Sequence, residues 1–210
     1  MKIQPFTFNP FQENTYVLSN EGQCFIVDPG CSNRTEEQEL VSYIESNNLK
    51  VKAILNTHCH IDHILGNAFC CNTFDAPLWM DSRDLPNLRS GKVLSDMYGI
   101  PYQVSPEPDL LLDDQKTIKL NEHELELRFV PGHAPGHIVF INHSLKWVIA
   151  GDTLFQLSIG RTDLPGGNHD QLLDSIRREL FSLDDDYEVH CGHGVSTNIG
   201  FEKKHNPFLK

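Results

Sequence analysis

The stretch Thr57-His58-Cys59-His60-Ile61-Asp62-His63 constrains this chain more than any other. It sets three imidazoles and a carboxylate into seven residues, directly after the apolar run Val51-Lys52-Ala53-Ile54-Leu55. A β-branched apolar run bounded by polar residues reads as a buried strand, so the cluster falls in a loop at the strand's C-terminal end. On an extended or tightly turning backbone, His58 and His60 alternate as ligands of one ion do. Asp62 and His63 then point elsewhere, which suits a second ion beside the first. Neutral imidazole nitrogen and carboxylate oxygen are the donors that catalytic Zn²⁺ and other borderline divalent metals take. The plain alternative, a solvated His-rich turn without metal, gives no reason for so many costly side chains in one loop.

Upstream, residues 2–8, 14–19 and 23–28 read as three short strands, with a turn at Glu21-Gly22 and a sharper one at Asp28-Pro29-Gly30. Thr35 with Gln38 resembles a capping box, and Leu40, Val41 and Ile44 make one apolar face, which predicts an amphipathic helix over 35–47. Downstream, a short helix is expected from Ile64 to Thr73 and a brief strand at 77–80. From Asp81 to Pro108 the periodicity fails, punctuated by Pro86, Gly91, Gly99, Pro101, Pro106 and Pro108, and the segment reads as an insertion or a lid. Strict alternation returns from Lys116 to Val130, a hairpin turning at Asn121-Glu122 with one wet face. Strands at 138–142 and 145–150, a helix from Asn168 to about Ser182, and a strand at 187–190 complete the order. This succession supports an α/β layered architecture, expected to be one domain over 1–210.

The charge is one-sided. Lysine plus arginine number 17 against 29 acidic residues, a net charge of −12. Such a surface repels a phosphate backbone, so nucleic-acid binding is disfavoured. The N-terminus Met1-Lys2-Ile3-Gln4-Pro5 lacks a hydrophobic signal core, and no apolar run is long enough to span a bilayer. The cysteines, Cys24, Cys31, Cys59, Cys70, Cys71 and Cys191, show no C-x-x-C and no disulfide framework. They read as reduced thiols of a cytoplasmic protein with no membrane partner, a monomer or weak oligomer.

Three later positions share a local pattern, each at the end of a strand beside glycine: His133 after Gly132, Asp152 after Gly151, and His193 between Gly192 and Gly194. Singly each is an ordinary turn. Together with His-x-His-x-Asp-His at 58–63 they resemble, in order, the metallo-β-lactamase superfamily. The resemblance implies a four-layer αββα sandwich with two metal ions at one edge of the packed sheets. It implies that His58, His60 and His133 hold one ion, that Asp62, His63 and His193 hold the other, and that Asp152 bridges them. It also implies that Asp28 supports the metal loop and that His137 stands beside the ligands rather than among them. Two ions about 3.5–4 Å apart can share a water and lower its pKa to around 7, with Asp62 orienting the resulting nucleophile.

Gly-Asp-Thr-Leu-Phe at 151–155, Gly-Arg-Thr-Asp at 160–163, Pro-Gly-Gly-Asn-His-Asp-Gln-Leu at 165–172 and His205-Asn206-Pro207-Phe208-Leu209 narrow the likeness. They resemble the short bacterial glyoxalase II-like hydrolases, which implies a small thioester substrate such as S-lactoylglutathione and two divalent ions, Zn²⁺ first and Fe²⁺ or Mn²⁺ next. By the same resemblance Arg161 contacts the thiol part of the substrate. Two departures separate the chain from full-length glyoxalase II. It stops 17 residues past His193, without the C-terminal helical domain, and Val195 stands where that family has a tyrosine. The persulfide dioxygenase branch shares Gly-Arg-Thr-Asp and uses one iron held by two histidines and a carboxylate. A metal-dependent hydrolase is the expectation, and metal count separates it from that branch.

Overall fold

The computed structural model describes residues 1–210, which fall into two compact units, Met1–Asp114 with Lys119–His123, and Gln115–Ile118 with Glu124–Lys210. The first unit is built on a six-stranded sheet in chain order: β1 (Lys2–Phe8), β2 (Glu13–Asn20), β3 (Gln23–Val27), β4 (Lys50–Leu55), β5 (Leu78–Met80) and β6 (Leu110–Leu111). The first three are antiparallel and the last three add in parallel. The parallel steps need crossovers, supplied by helices α1 (Arg34–Ser46), α2 (Ile61–Ile64), α3 (Asn67–Phe74) and α4 (Leu85–Tyr98). β4 is buried along its last three residues, Ala53, Ile54 and Leu55, and delivers the histidine-rich loop at its C-terminal end.

The start of α1 differs from the expectation. The cap is Asn33, in extended backbone, whose side chain accepts from the amides of Thr35 and Glu36. Glu36 in turn accepts from the amides of Ser32 and Asn9, so the cap ties the β1–β2 turn to the helix. Thr35 therefore sits inside the helix rather than before it.

The larger difference lies at 81–108, where the sequence pattern fails but α4 forms over Leu85–Tyr98. Pro86 occupies the first turn, where a missing N–H costs nothing, and Gly99 ends the helix in left-handed backbone at φ 66°. Leu88, with Leu85 and Leu94, packs against Ile61, Ile64 and Met80, so the inner face of α4 covers the back of the histidine-rich loop. Val93, Met97 and Tyr98 stay exposed on the other face, which is why no single apolar stripe is visible in the sequence.

The second unit holds most of a six-stranded sheet in the order β14-β13-β10-β9-β8-β7 and a separate small hairpin. Its strands are β7 (Thr117–Leu120), β8 (His123–Phe129), β9 (Ile138–Asn142), β10 (Trp147–Gly151), β11 (Leu154–Phe155), β12 (Ser158–Ile159), β13 (Glu188–Cys191) and β14 (Thr197–Asn198). β11 and β12 pair only with each other and form the hairpin. The parallel step from β10 to β13 crosses over through α5 (His169–Ser175), capped by Asn168 as expected. The helix does not run on as one α-helix to Ser182. It passes into a π-helical turn at Ile176–Leu180 that keeps Ile176 and Leu180 inward. The core combines Val139, Ile141, Val148 and Ala150 of the sheet with Leu172, Ile176 and Leu180. A last helix, α6 (Ile199–His205), closes the unit. No helix of the chain is long and apolar enough to cross a membrane.

Candidate metal centre

In the first unit the loop after β4 is pinned by its backbone, which leaves its imidazoles to face one another. Asp28, at the end of β3, is the main anchor. Its Oδ1 accepts from the Thr57 amide at 2.7 Å, and its Oδ2 accepts from the Thr57 hydroxyl at 2.6 Å and faces His63 Nδ1 at 3.1 Å. In the neutral rings these bonds fix two tautomers. A carboxylate only accepts, so Nδ1 of His63 carries the proton and Nε2 holds the lone pair. The Thr57 hydroxyl spends its one hydrogen on Asp28, so it accepts from His58 Nδ1 at 3.0 Å, and His58 also turns an unprotonated Nε2 outward. His58 and His60 have ring centroids 4.8 Å apart, and His58 and His63 4.1 Å apart. Asp28, His58 and His63 present ligand atoms within 4.8 Å of one another. Nε2 of His63 lies 3.8 Å from Asp62 Oδ2.

Supports that were not legible in the sequence surround the loop. Asp84, buried at the entry to α4, accepts from the Cys59 amide. Cys59 itself is buried beside Met80, facing away from the imidazoles as its place in the strand alternation implies. Asn9 donates its side-chain amide to the carbonyls of Gly30 and Asp62, both at 3.0 Å. Asn56 bonds the His63 carbonyl and pairs with Asn67. Glu13 is fully buried, and burial pushes its carboxyl well above the usual range. It accepts from Thr15 and lies 3.8 Å from His63 Nδ1. None of these residues sits in the motif; only their distance contacts reveal them.

In the second unit His133, Asp152 and His193 come together at the C-terminal ends of three strands. His133 Nδ1 faces the Arg161 carbonyl at 2.8 Å. A carbonyl cannot donate, so in the neutral ring Nε2 again holds the lone pair, and it lies 3.6 Å from Asp152 Oδ2. The same Oδ2 lies 3.5 Å from His193 Nε2. One carboxylate oxygen is thus shared between two imidazoles. His137 accepts the Asp152 amide on its Nε2 at 3.1 Å and so supports the carboxylate's backbone.

Two glycines are required by space. Gly132, at φ 129°, has no room for a Cβ, which would stand 2.3 Å from the Leu172 amide nitrogen. Gly160 presses on both candidates: a Cβ there would lie 1.9 Å from the Asp152 carbonyl oxygen and 3.0 Å from His133 Nδ1. The Arg161 side chain reaches outward and forms a two-pronged pair with Asp163 at 2.7 Å on each arm. That hydrogen-bonded pairing holds the exposed Asp163 carboxyl down at about 2. Arg161 therefore has a backbone role, orienting His133, that its motif did not announce.

An unprotonated imidazole nitrogen and a carboxylate oxygen repel each other unless a proton or a metal cation lies between them. The second unit places such a lone pair, on His133, against Asp152, and the first unit does the same with His63 and Asp62. Buried lone pairs aimed at carboxylates are what divalent ions fill, and the donor set fits them.

The chain matches the Metallo-beta-lactamase superfamily over residues 8–193. It is 36% identical over 212 residues to the hydroxyacylglutathione hydrolase GloC of Haemophilus influenzae, covering 100% of this chain and 98% of that one. Among solved structures, BLEG-1, a B3 metallo-β-lactamase, superposes with a TM-score of 0.90 at 33% identity, covering 100% of both chains. TTHA1623 in a di-iron-bound form superposes with a TM-score of 0.87, also at 33% identity, covering 98% of this chain and 100% of that one.

Proposed function

Because the chain belongs to the metallo-β-lactamase superfamily, we propose that it is a binuclear metal-dependent hydrolase of a small thioester. S-lactoylglutathione, cleaved to lactate and a free thiol, is the favoured substrate. The observation that carries this reading is the set of fixed imidazole lone pairs facing Asp62 and Asp152, in a chain 36% identical to a hydroxyacylglutathione hydrolase.

His58, His60 and His133 hold one ion, Asp62, His63 and His193 the other, and Asp152 serves both. When bound, two divalent ions polarise a carbonyl and lower the pKa of water to about 7, which supplies a nucleophile at neutral pH. Zn²⁺ is the first choice and Fe²⁺ or Mn²⁺ the next; the di-iron form of TTHA1623 supports iron as a serious competitor.

The side chains of this chain do the rest. Asp28 and the Arg161 carbonyl direct the single proton of the neutral His63 and His133 rings to Nδ1, which leaves Nε2 as the atom for a cation. Asp62, with an oxygen to spare, orients the nucleophile. Arg161 takes an anionic group of the thiol portion by exchanging Asp163 for it, which the exposure of that pair permits. A thiol of pKa about 8.5 leaves as the thiolate without a strong general acid. The proposed partner is thus a small thioester, with no nucleic acid, no membrane and no obligate second subunit, in a cytoplasmic protein.

The test is metal content of the purified protein together with hydrolysis of S-lactoylglutathione, with and without a chelator. Likeness to BLEG-1 makes a β-lactam the comparison substrate. Two ions per chain and chelator-sensitive thioester cleavage support the reading. A single iron with oxygen uptake on a persulfide would overturn it.

A further inference from the structure

A buried carboxylate outside every candidate ligand motif holds the hairpin beside which three of the ligands lie. Glu202, in α6, has no solvent exposure and accepts from the Thr197 hydroxyl, from the Leu157 amide at 3.0 Å and from the Asn206 side-chain amide at 2.8 Å. The same Asn206 amide group donates to the Ser158 carbonyl at 2.9 Å. Leu157 and Ser158 lie in the tip of the β11–β12 hairpin, and Leu157 sits at φ 58°, a left-handed conformation that a leucine rarely adopts. An outlier of that kind persists only where its surroundings hold it in place.

The hairpin is short, and each of the second unit's candidate ligands adjoins it or the residues that flank it. Asp152 precedes it. Arg161, whose carbonyl fixes the tautomer of His133, follows it. Gly160, its last link, is packed without clearance on the Asp152 carbonyl and the His133 ring. Phe155 on β11 packs edge-on against His193, with ring centroids 6.1 Å apart. A shift of the hairpin tip therefore moves an anchor of all three.

We infer that Glu202, with Asn206, is a positioning residue of the metal centre: through Leu157 and Ser158 it sets the β11–β12 hairpin and thereby Asp152, His133 and His193. This rests on the ligand assignment proposed above. Neither residue touches a ligand, so their action is indirect. Gln at 202 can keep the arrangement. Its oxygen accepts from Leu157 and Asn206, and its amide donates to Thr197, whose hydroxyl can turn to accept. Leu at 202 leaves three donors without an acceptor.

The experiment compares the full-length parent with Glu202→Leu, Glu202→Gln, Asn206→Ala and Asp152→Ala. Co²⁺ is the probe. Its affinity is measured by chelator competition and its electronic spectrum is recorded, while thermal unfolding of the metal-free proteins is followed separately. We expect Glu202→Leu and Asn206→Ala to lower Co²⁺ affinity at least ten-fold and to alter the spectrum, with kcat falling more than KM rises. Glu202→Gln should restore the parent's spectrum and affinity to within about three-fold. A merely structural role would lower the unfolding temperature and leave the spectrum and affinity of the folded protein unchanged, which would overturn the inference. Should Glu202→Leu fail to fold, Asn206→Ala carries the same test, because it removes the Ser158 contact and leaves the carboxylate in place. If Asp152→Ala keeps two ions and the parent's spectrum, the ligand assignment itself falls. If Asp152→Ala loses an ion while the hairpin variants match the parent, the assignment stands and the positioning role falls.

Discussion

Asp28→Asn isolates the tautomer argument in one atom. Asp28 serves three donors: the Thr57 amide, the Thr57 hydroxyl and His63 Nδ1. Asparagine keeps one acceptor, which the Thr57 amide claims. Its new NH₂ then confronts His63 Nδ1–H, and the imidazole escapes only by moving its proton to Nε2, the atom a metal needs. The Thr57 hydroxyl must turn to accept the new amide, so its hydrogen points at His58 Nδ1 and drives that ring the same way. A hydrogen bond to a charged group contributes about 1.5–3 kcal/mol, so losing the His63 bond should lower the stability of the metal-free protein by about 2 kcal/mol. Loss of such an orienting partner weakens metal affinity about 10–100-fold. Chelator competition measures the affinity, and denaturant unfolding of the metal-free protein measures the stability. The reasoning fails if Asp28→Asn binds two ions as tightly as the parent while the stability falls as expected, because the tautomers would then not depend on Asp28.

Further outcomes follow from the same geometry. Asp152→Ala should reduce bound metal below two ions per chain and remove most turnover, read by elemental analysis and steady-state kinetics; two tightly held ions at full rate would exclude the shared carboxylate. Arg161→Ala should raise KM for an anionic thioester with kcat nearly unchanged, as when ground and transition states lose the same contact; its carbonyl, and hence His133, is untouched. Gly160→Ala places a methyl group against the Asp152 carbonyl, so denaturant unfolding should show a loss of about 1–3 kcal/mol or more. Burial pushes the thiols of Cys24 and Cys191 up to about 12 and that of Cys71 to about 11, and raises Cys59 and Cys70 as well. At pH 8 a disulfide reagent should therefore titrate these thiols slowly in the native protein and rapidly after unfolding.

What the sequence made legible were the features with a local period or a local motif. Short apolar runs bounded by turn residues placed the strands at 2–8, 138–142 and 187–190, and the α/β class followed, as the two helix-flanked sheets and the superfamily match bear out. The His-x-His-x-Asp-His stretch named a chemistry because ligand spacing is itself short-range. The start of α1 is ambiguous in the sequence because Asn33 and Thr35 are both competent caps, and the structure favours Asn33 through its own cap bonds and the hold of Glu36 on the amides of Ser32 and Asn9. α4 was missed because its buried face is split between leucines on the loop side and exposed Val93, Met97 and Tyr98 opposite, with prolines on both flanks. Asp84 and Glu202 were invisible for a different reason. Each acts on a backbone amide 25 or 45 residues away, and nothing in a neighbouring side chain records that.

The anchoring of the loop after β4 has a consequence for how such a chain can diverge. Asp28 and Asp84 grip the amides of Thr57 and Cys59, atoms that every residue but proline possesses. The side chains between those grips are therefore replaceable without loosening the frame, whereas inserting or deleting one residue there would turn cysteine outward and histidine into the apolar interior. Lineages built on this scaffold should then exchange one metal or reaction for another by substitution, while the length of this loop stays constant.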